Sequence, residues 1–360
     1  EPGPQPITVD VLREKYAAPG EADADAVRRR IAGALAAAEA RPADWEPRFF
    51  AAQHQGFIPA GRIAAAAGRT LDATLINCFV QPVGDSIGGI EDGLPGIYPA
   101  LEQAAQTLRR GGGVGFDFSV LRPSGAPAHG TGGRASGPVS FMRLFDCSCA
   151  TIESAGARRG AQMGMLRVDH PDIETFIHAK DQSGELTNFN LSVAADDGFL
   201  QAVVDDGVIE LVHRVEPGPE RDTEVRRRAD GLWVYRSVPA RGLFDAITER
   251  SWRHGDPGMV FIDPLNRENN LHGVEQIVAT NPCAEQPLPA YGCCCLGSID
   301  LTRFVREPFT PRARFDFADF AALVPDAVRM LDLVLDATLW PLPEQAREAQ
   351  HKRRIGLGIT

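Results

Sequence analysis

The chain has 360 residues, of which 44% are hydrophobic and 24% charged, and carries a net charge of −11. That length can bury one large core or two ordinary ones. The acidic balance argues against DNA as a direct partner, because affinity for a long polyanion comes mainly from basic residues. Small nucleotides stay open, since a few local arginines suffice.

Residues 1–70 read as a helical N-terminal region. A Pro- and Gly-rich arm comes first, and no signal peptide is expected at Glu1-Pro2-Gly3-Pro4. Val27, Ile31 and Leu35 recur at helical spacing, which predicts an amphipathic helix over about 25–40 that stops near Pro42. A second helix is expected at 45–54. From 71 to 360 strand-like and helical segments follow one another, and the chain is read as ending within that domain. The run 75–80 is apolar and β-branched, with Cys78 inside it. Helices are expected at 95–110, 138–153, 241–253 and near 316–336. The polar stretch 205–240 reads as an inserted hairpin. The last residues, 353–360, are Gly-rich and apolar and read as an interruption in mid-element. No apolar run approaches the ~20 residues of a membrane span.

There are seven cysteines, three of them contiguous. This is not a secreted disulfide framework, so reduced thiols in a cytoplasmic protein are expected. Cys147-x-Cys149 and the triplet lack zinc-knuckle spacing, and no His lies at finger spacing, so no metal site is expected. Cys147 and Cys149 are expected to pack in the core, and His170 to be structural. The run Gly111-Gly112-Gly113-Val114-Gly115 permits close approach of the backbone to a phosphate or sugar. It is neither a Walker loop nor a dinucleotide fingerprint.

The densest chemistry lies in Ala279-Thr280-Asn281-Pro282-Cys283-Ala284-Glu285-Gln286-Pro287-Leu288. Pro282 pushes Asn281 towards extended geometry. In an extended chain Asn281, Cys283 and Glu285 would line one face, about 6.6 Å apart per step. An amide, a thiol and a carboxylate would then span a sugar ring. The triplet Cys293-Cys294-Cys295 begins ten positions after Cys283.

The run from Asn281 to Leu288 resembles the radical-cysteine loop of ribonucleotide reductases, most of all the adenosylcobalamin-dependent class II enzymes. Other segments are similar in the same order: Asn77-Cys78-Phe79-Val80 with Asp85 after it, Gly113-Val114-Gly115 with Leu121-Arg122-Pro123, Arg158-Arg159-Gly160-Ala161, and Asn188 to Val193. The resemblance implies a ten-stranded α/β barrel of two half-barrels, with this chain supplying the first half and a finger loop near 279–297. It implies a thiyl radical at Cys283, a general base at Glu285, a hydroxyl-binding amide at Asn281, and a catalytic dithiol of Cys78 with Cys294. Register within the family favours Cys294, and Cys293 and Cys295 stay open. Asn77, Cys78, Gly113 and Asn281 would contact the substrate. Asp85, Arg122 and Arg159 would serve a dNTP or ATP effector, although a second family arginine falls near His129 here. The implied cofactor is adenosylcobalamin (the vitamin B12 coenzyme). The implied partners are a ribonucleotide, a thioredoxin-like or glutaredoxin-like reductant, a chain carrying the C-terminal half, and a second copy in a homodimer. The alternatives are a fragment of a class I large subunit, a non-catalytic effector-binding subunit and, third, a zinc-structured cysteine cluster.

Overall fold

The structure is a computed structural model that describes residues 5–128, 132–152, 160–218 and 225–360. Eight strands share one sheet. In chain order they are β1 (Phe57–Pro59), β2 (Cys78–Val80), β3 (Gly113–Asp117), β4 (Gln162–Arg167), β5 (Phe189–Ala195), β6 (Gly258–Phe261), β7 (Cys293–Ile299) and β8 (Ile355–Ile359). Strands β2 to β6 lie side by side and parallel. Strand β7 runs antiparallel to β1 and β2 and parallel to β8. The result is a curled half-barrel of mixed α/β type.

Parallel neighbours need long crossovers, and helices supply them. The helices used below are α1 (Ala24–Ala36), α2 (Pro42–Gln55), α3 (Ile97–Arg109), α4 (Pro138–Thr151), α5 (Ala240–His254), α6 (Phe317–Ala337) and α7 (Pro343–Lys352). Helix α3 joins β2 to β3 and presents Ile97, Ala100, Ala104 and Leu108 to the sheet, at helical spacing. Two cores result. One packs Phe116, Phe118, Phe145, Phe176 and Phe189 between the parallel strands and α3, α4 and α5. The other joins Val27, Ile31, Leu35 and Phe49 of the N-terminal helices to Leu331, Val334 and Leu335 of α6. Each fully buried Phe or Leu contributes roughly 1.5–3 kcal/mol. The first 70 residues thus share a core with residues of the barrel and add β1 to its sheet.

The expected helices and strands form with small shifts of their ends. The stretch 205–240 does form a hairpin, pairing Val208–His213 with Trp233–Pro239. One packing expectation is corrected. Cys149 is buried, whereas Cys147 is exposed, because two residues along a helix face different sides. No helix among the described residues is long and apolar enough to cross a membrane.

Candidate active site

The finger loop is a short hairpin. Ala279 and Thr280 pair with Leu288 and Pro287. The residues between must reverse the chain, and this overrides the extended geometry expected from Pro282. Asn281 N–H donates to the Gln286 carbonyl at 3.1 Å, and Ala284 N–H to the Asn281 carbonyl at 3.0 Å. Ala284 takes a left-handed φ of 69° to close the turn. Asn281, Cys283 and Glu285 therefore do not form a flat row. Asn281 is fully buried, and its Nδ2 donates to Glu285 Oε1 at 2.6 Å. Its Oδ1 accepts from Gln286 N–H at 3.0 Å, which fixes the amide's orientation. Cys283 stands exposed at the tip.

The loop lies directly on β3, and the glycines there make this possible. A Cβ on Gly115 would fall 1.8 Å from the Thr280 carbonyl oxygen, and one on Gly113 would fall 2.8 Å from Pro282 Cγ. From β5, Asn190 Nδ2 donates to the Pro282 carbonyl at 2.6 Å, one residue before Cys283. Thr280 N–H contacts Met165 Sδ of β4 at 3.2 Å. Sequence reasoning missed these three anchors. Asn190 lay within a recognised motif, but its partner is an ordinary backbone carbonyl with no sequence signal.

The cysteine triplet resolves by alternation. Period two puts Cys293 and Cys295 on one face of β7 and Cys294 on the other. Cys293 and Cys295 pack into the core shared with the N-terminal helices. Burial pushes the Cys293 thiol up to about 12 and Cys295 in the same direction. Cys294 pairs across the sheet with Cys78. Its thiol is hydrogen-bonded to that of Cys78, and this bond together with burial raises its pKa strongly. The ligand atoms of Cys78, Cys294 and Glu285 all lie within 4.8 Å of one another. Asn281 Nδ2 is 4.0 Å from Cys294 Sγ. Cys283 is outside this trio. Asn77, the residue before Cys78, has its Oδ1 buried without a hydrogen-bond partner among the described residues. Gly113, the first residue of β3, donates its N–H to the Asn77 carbonyl at 2.8 Å. Thus Asn77, Cys78, Gly113, Asn281, Glu285 and Cys294 converge where the parallel strands begin.

A fold of this kind, with a hairpin laid on the sheet and a facing thiol pair, is matched by sequence. A profile of the family "Ribonucleotide reductase, barrel domain" covers residues 76–360. The chain belongs to the ribonucleotide reductase barrel family. It is 40% identical to a vitamin B12-dependent ribonucleoside-diphosphate reductase of Mycobacterium tuberculosis, over 98% of this chain and 48% of the relative. It is likewise 40% identical to a reductase of that name from Thermoplasma acidophilum, over 84% of this chain and 36% of the relative. A ribonucleoside-diphosphate reductase large subunit of Vaccinia virus is 29% identical over 75% of this chain. The chain spans about half the length, or less, of these reductases.

The expected effector residues form a separate group. Asp85 is buried and accepts from Arg122 N at 2.8 Å and Arg122 Nε at 3.0 Å. Arg214 lies 3.7 Å from the same carboxylate. Burial raises the Asp85 pKa in spite of both arginines. Arg214 was not foreseen, because it comes from the 208–239 hairpin, whose sequence carries no local ligand signal. His170 Nδ1 accepts from Asp172 N–H at 3.0 Å, so Nε2 carries the proton and donates to the Leu121 carbonyl at 3.0 Å. The imidazole is structural: it holds the backbone next to Arg122. Arg159, and the family position at His129, lie outside the described residues.

Proposed function

We propose that this chain carries the dithiol and finger-loop half of a radical ribonucleotide reductase that depends on adenosylcobalamin. The observation that supports this most is the register of Cys78 opposite Cys294, with Glu285 beside both thiols. A facing dithiol can give two electrons and two hydrogens to a ribose, becoming a disulfide while the 2′-hydroxyl leaves as water. The nucleotide is thereby reduced and the thiols oxidised, and a thioredoxin-like or glutaredoxin-like dithiol restores them by exchange. Pairing across adjacent strands brings the two Cα atoms to the ~4.5–5.5 Å of antiparallel neighbours, within disulfide range.

Each neighbouring group has a task in that chemistry. Glu285, oriented by the Asn281 amide, takes the proton of the ribose 3′-hydroxyl. The buried, unpartnered Asn77 Oδ1 is an acceptor suited to a substrate hydroxyl. Gly113 lets the sugar approach backbone. Cys283 would carry the thiyl radical that removes the C3′ hydrogen. Its exposure at a turn tip fits a thiol that must meet a large cofactor arriving from outside. Adenosylcobalamin, when bound, supplies the one-electron oxidation for which protein side chains are unsuited. Asp85 and Arg122, joined by Arg159 and by the newly found Arg214, are proposed to hold a dNTP or ATP effector. A homodimer, a chain completing the barrel, and cytoplasmic location belong to the same reading.

The test is anaerobic deoxyribonucleotide formation with adenosylcobalamin, a dithiol and a ribonucleotide. The chain is supplied together with a polypeptide covering the part of the relatives that it does not span, with Cys283→Ala as control. Cofactor-dependent product that vanishes in the control is expected. Tight dNTP binding with no product would turn the assignment towards an effector-binding subunit or a class I enzyme.

A further inference from the structure

The trio Cys78, Cys294 and Glu285 has a second chemical competence that ribose reduction does not need. Two thiols and a carboxylate with ligand atoms within 4.8 Å of one another form a soft, three-donor pocket. We propose that the reduced dithiol, together with Glu285, binds a thiophilic divalent cation of the Zn2+ class, and that oxidation to the disulfide releases it.

The geometry carries the proposal. A tetrahedral Zn2+ with Zn–S near 2.3 Å and Zn–O near 2.1 Å needs its sulfurs about 3.8 Å apart and each sulfur about 3.6 Å from the oxygen. With the ligand atoms all within 4.8 Å of one another, the trio reaches this by small side-chain adjustment, and two of its members are anchored on paired strands. The outer shell is already built. Asn281 Nδ2 donates to Glu285 Oε1 at 2.6 Å, and Gln286 N–H fixes the Asn281 oxygen at 3.0 Å. The Glu285 carboxylate is thereby held in orientation by its neighbour. Three protein donors leave a fourth position for water, the arrangement of an open site. The sequence hides this group, since its members at 78, 285 and 294 meet only through the fold.

Binding is balanced by release of two thiol protons, one from Cys78 and one from Cys294, as the thiolates form. No electron moves. Oxidation of the pair by thiol exchange with an added disulfide, which takes the two electrons and leaves as two thiols, joins the two sulfurs, removes two donors and discharges the ion. Binding itself does not depend on the reductase reading. Its consequence does: the ion would occupy the sulfurs that reduce the ribose, so it would inhibit only the reduced enzyme.

The test is anaerobic titration of the reduced, metal-free chain with Cd2+, read by the sulfur-to-cadmium charge-transfer band, and then competition by Zn2+. A phosphine serves as the non-chelating reductant. One equivalent is expected to bind in the wild type and in Cys283→Ser. Binding should disappear in Cys78→Ser, in Cys294→Ser and in wild type oxidised to the Cys78–Cys294 disulfide. Asn281→Ala, which removes only the outer shell, should weaken it about 10–100-fold. The oxidised wild type keeps the test decisive where a cysteine variant does not fold. No band in the reduced chain, or a band that survives oxidation or the double Cys78→Ser, Cys294→Ser change, overturns the proposal. Because the readout is spectroscopic, absence of reductase activity has no bearing on it.

Discussion

Gly115→Ala is the sharpest probe of how the finger loop is held. The new methyl would sit 1.8 Å from the Thr280 carbonyl oxygen, where ordinary contact begins at 3.4 Å, so about 1.6 Å of clearance is missing. Both offending atoms of Thr280 are backbone, so no rotamer change relieves the clash. Met163 Cβ at 3.4 Å blocks easy retreat of β3. The hairpin must lift off the strand, carrying Asn281 and Cys283 with it. Overpacking of this kind costs about 1–3 kcal/mol, a fall in melting temperature of a few degrees for a chain this large. The effect on chemistry is far larger, since about 1 Å of misplacement of reacting groups costs on the order of 10²-fold. The assay is the complemented deoxyribonucleotide reaction beside a thermal melt. Gly164→Ala is the control, because the nearest atom there is the terminal methyl of Met142, at 2.4 Å, on a flexible side chain. Wild-type turnover in Gly115→Ala, or an equal loss in Gly164→Ala, refutes the argument that backbone contact at Gly115 sets the loop.

Cys294→Ser should abolish the disulfide formed in a single turnover, while Cys293→Ser leaves it intact; peptide mass mapping after quenching distinguishes them. Glu285→Gln should lower turnover by about 10²–10⁴-fold, the range for loss of a positioned base. Its melting temperature should be unchanged, because Glu285 is exposed. Glu275 gives a pH signature. Burial pushes its pKa up, but hydrogen bonds from Lys352 and Asn269 and the charge of Arg354 outweigh this and hold it below the ordinary 4.5. Its contribution is therefore complete above that value and is lost as pH falls through the lower folded-state pKa. Glu275→Gln should flatten the acid limb of stability against pH. It should also destabilise at neutral pH by up to about 3 kcal/mol, by taking the carboxylate from Arg354, whereas Lys352 keeps its pair with Glu348. Chemical denaturation across pH checks both.

Much of this architecture was legible before any coordinates. Val27, Ile31 and Leu35 announced α1 by spacing alone, and all three are buried. The finger loop was located by its residues, yet its shape was not. Pro282 restrains one dihedral, whereas the pairing of Thr280 with Pro287 closes a hairpin that a local rule cannot see. Likewise, period two separates Cys294 from its neighbours, but which face meets Cys78 depends on strand register. Arg214 was invisible for a similar reason. It reaches Asp85 from a hairpin 122 residues beyond Asp92, its other ion-pair partner.

The site lies at the edge where the parallel strands begin, whereas open α/β sheets usually bind ligands where strands end. Crossover helices then deliver their carboxyl termini, not their amino termini, to the reacting groups. Helix α3 ends at Arg109, four residues before Gly113. The partial negative charge at such an end disfavours anions nearby. The Cys294 thiol keeps its proton chiefly for other reasons, its hydrogen bond to Cys78 and its burial. The hydrogen bond to Cys78 and burial thus bias the dithiol towards giving hydrogen and away from acting as an ionic nucleophile. By its carboxyl-terminal polarity, helix α3 makes a poor cradle for phosphate, so a nucleotide seated here needs its charged tail held by groups other than that terminus.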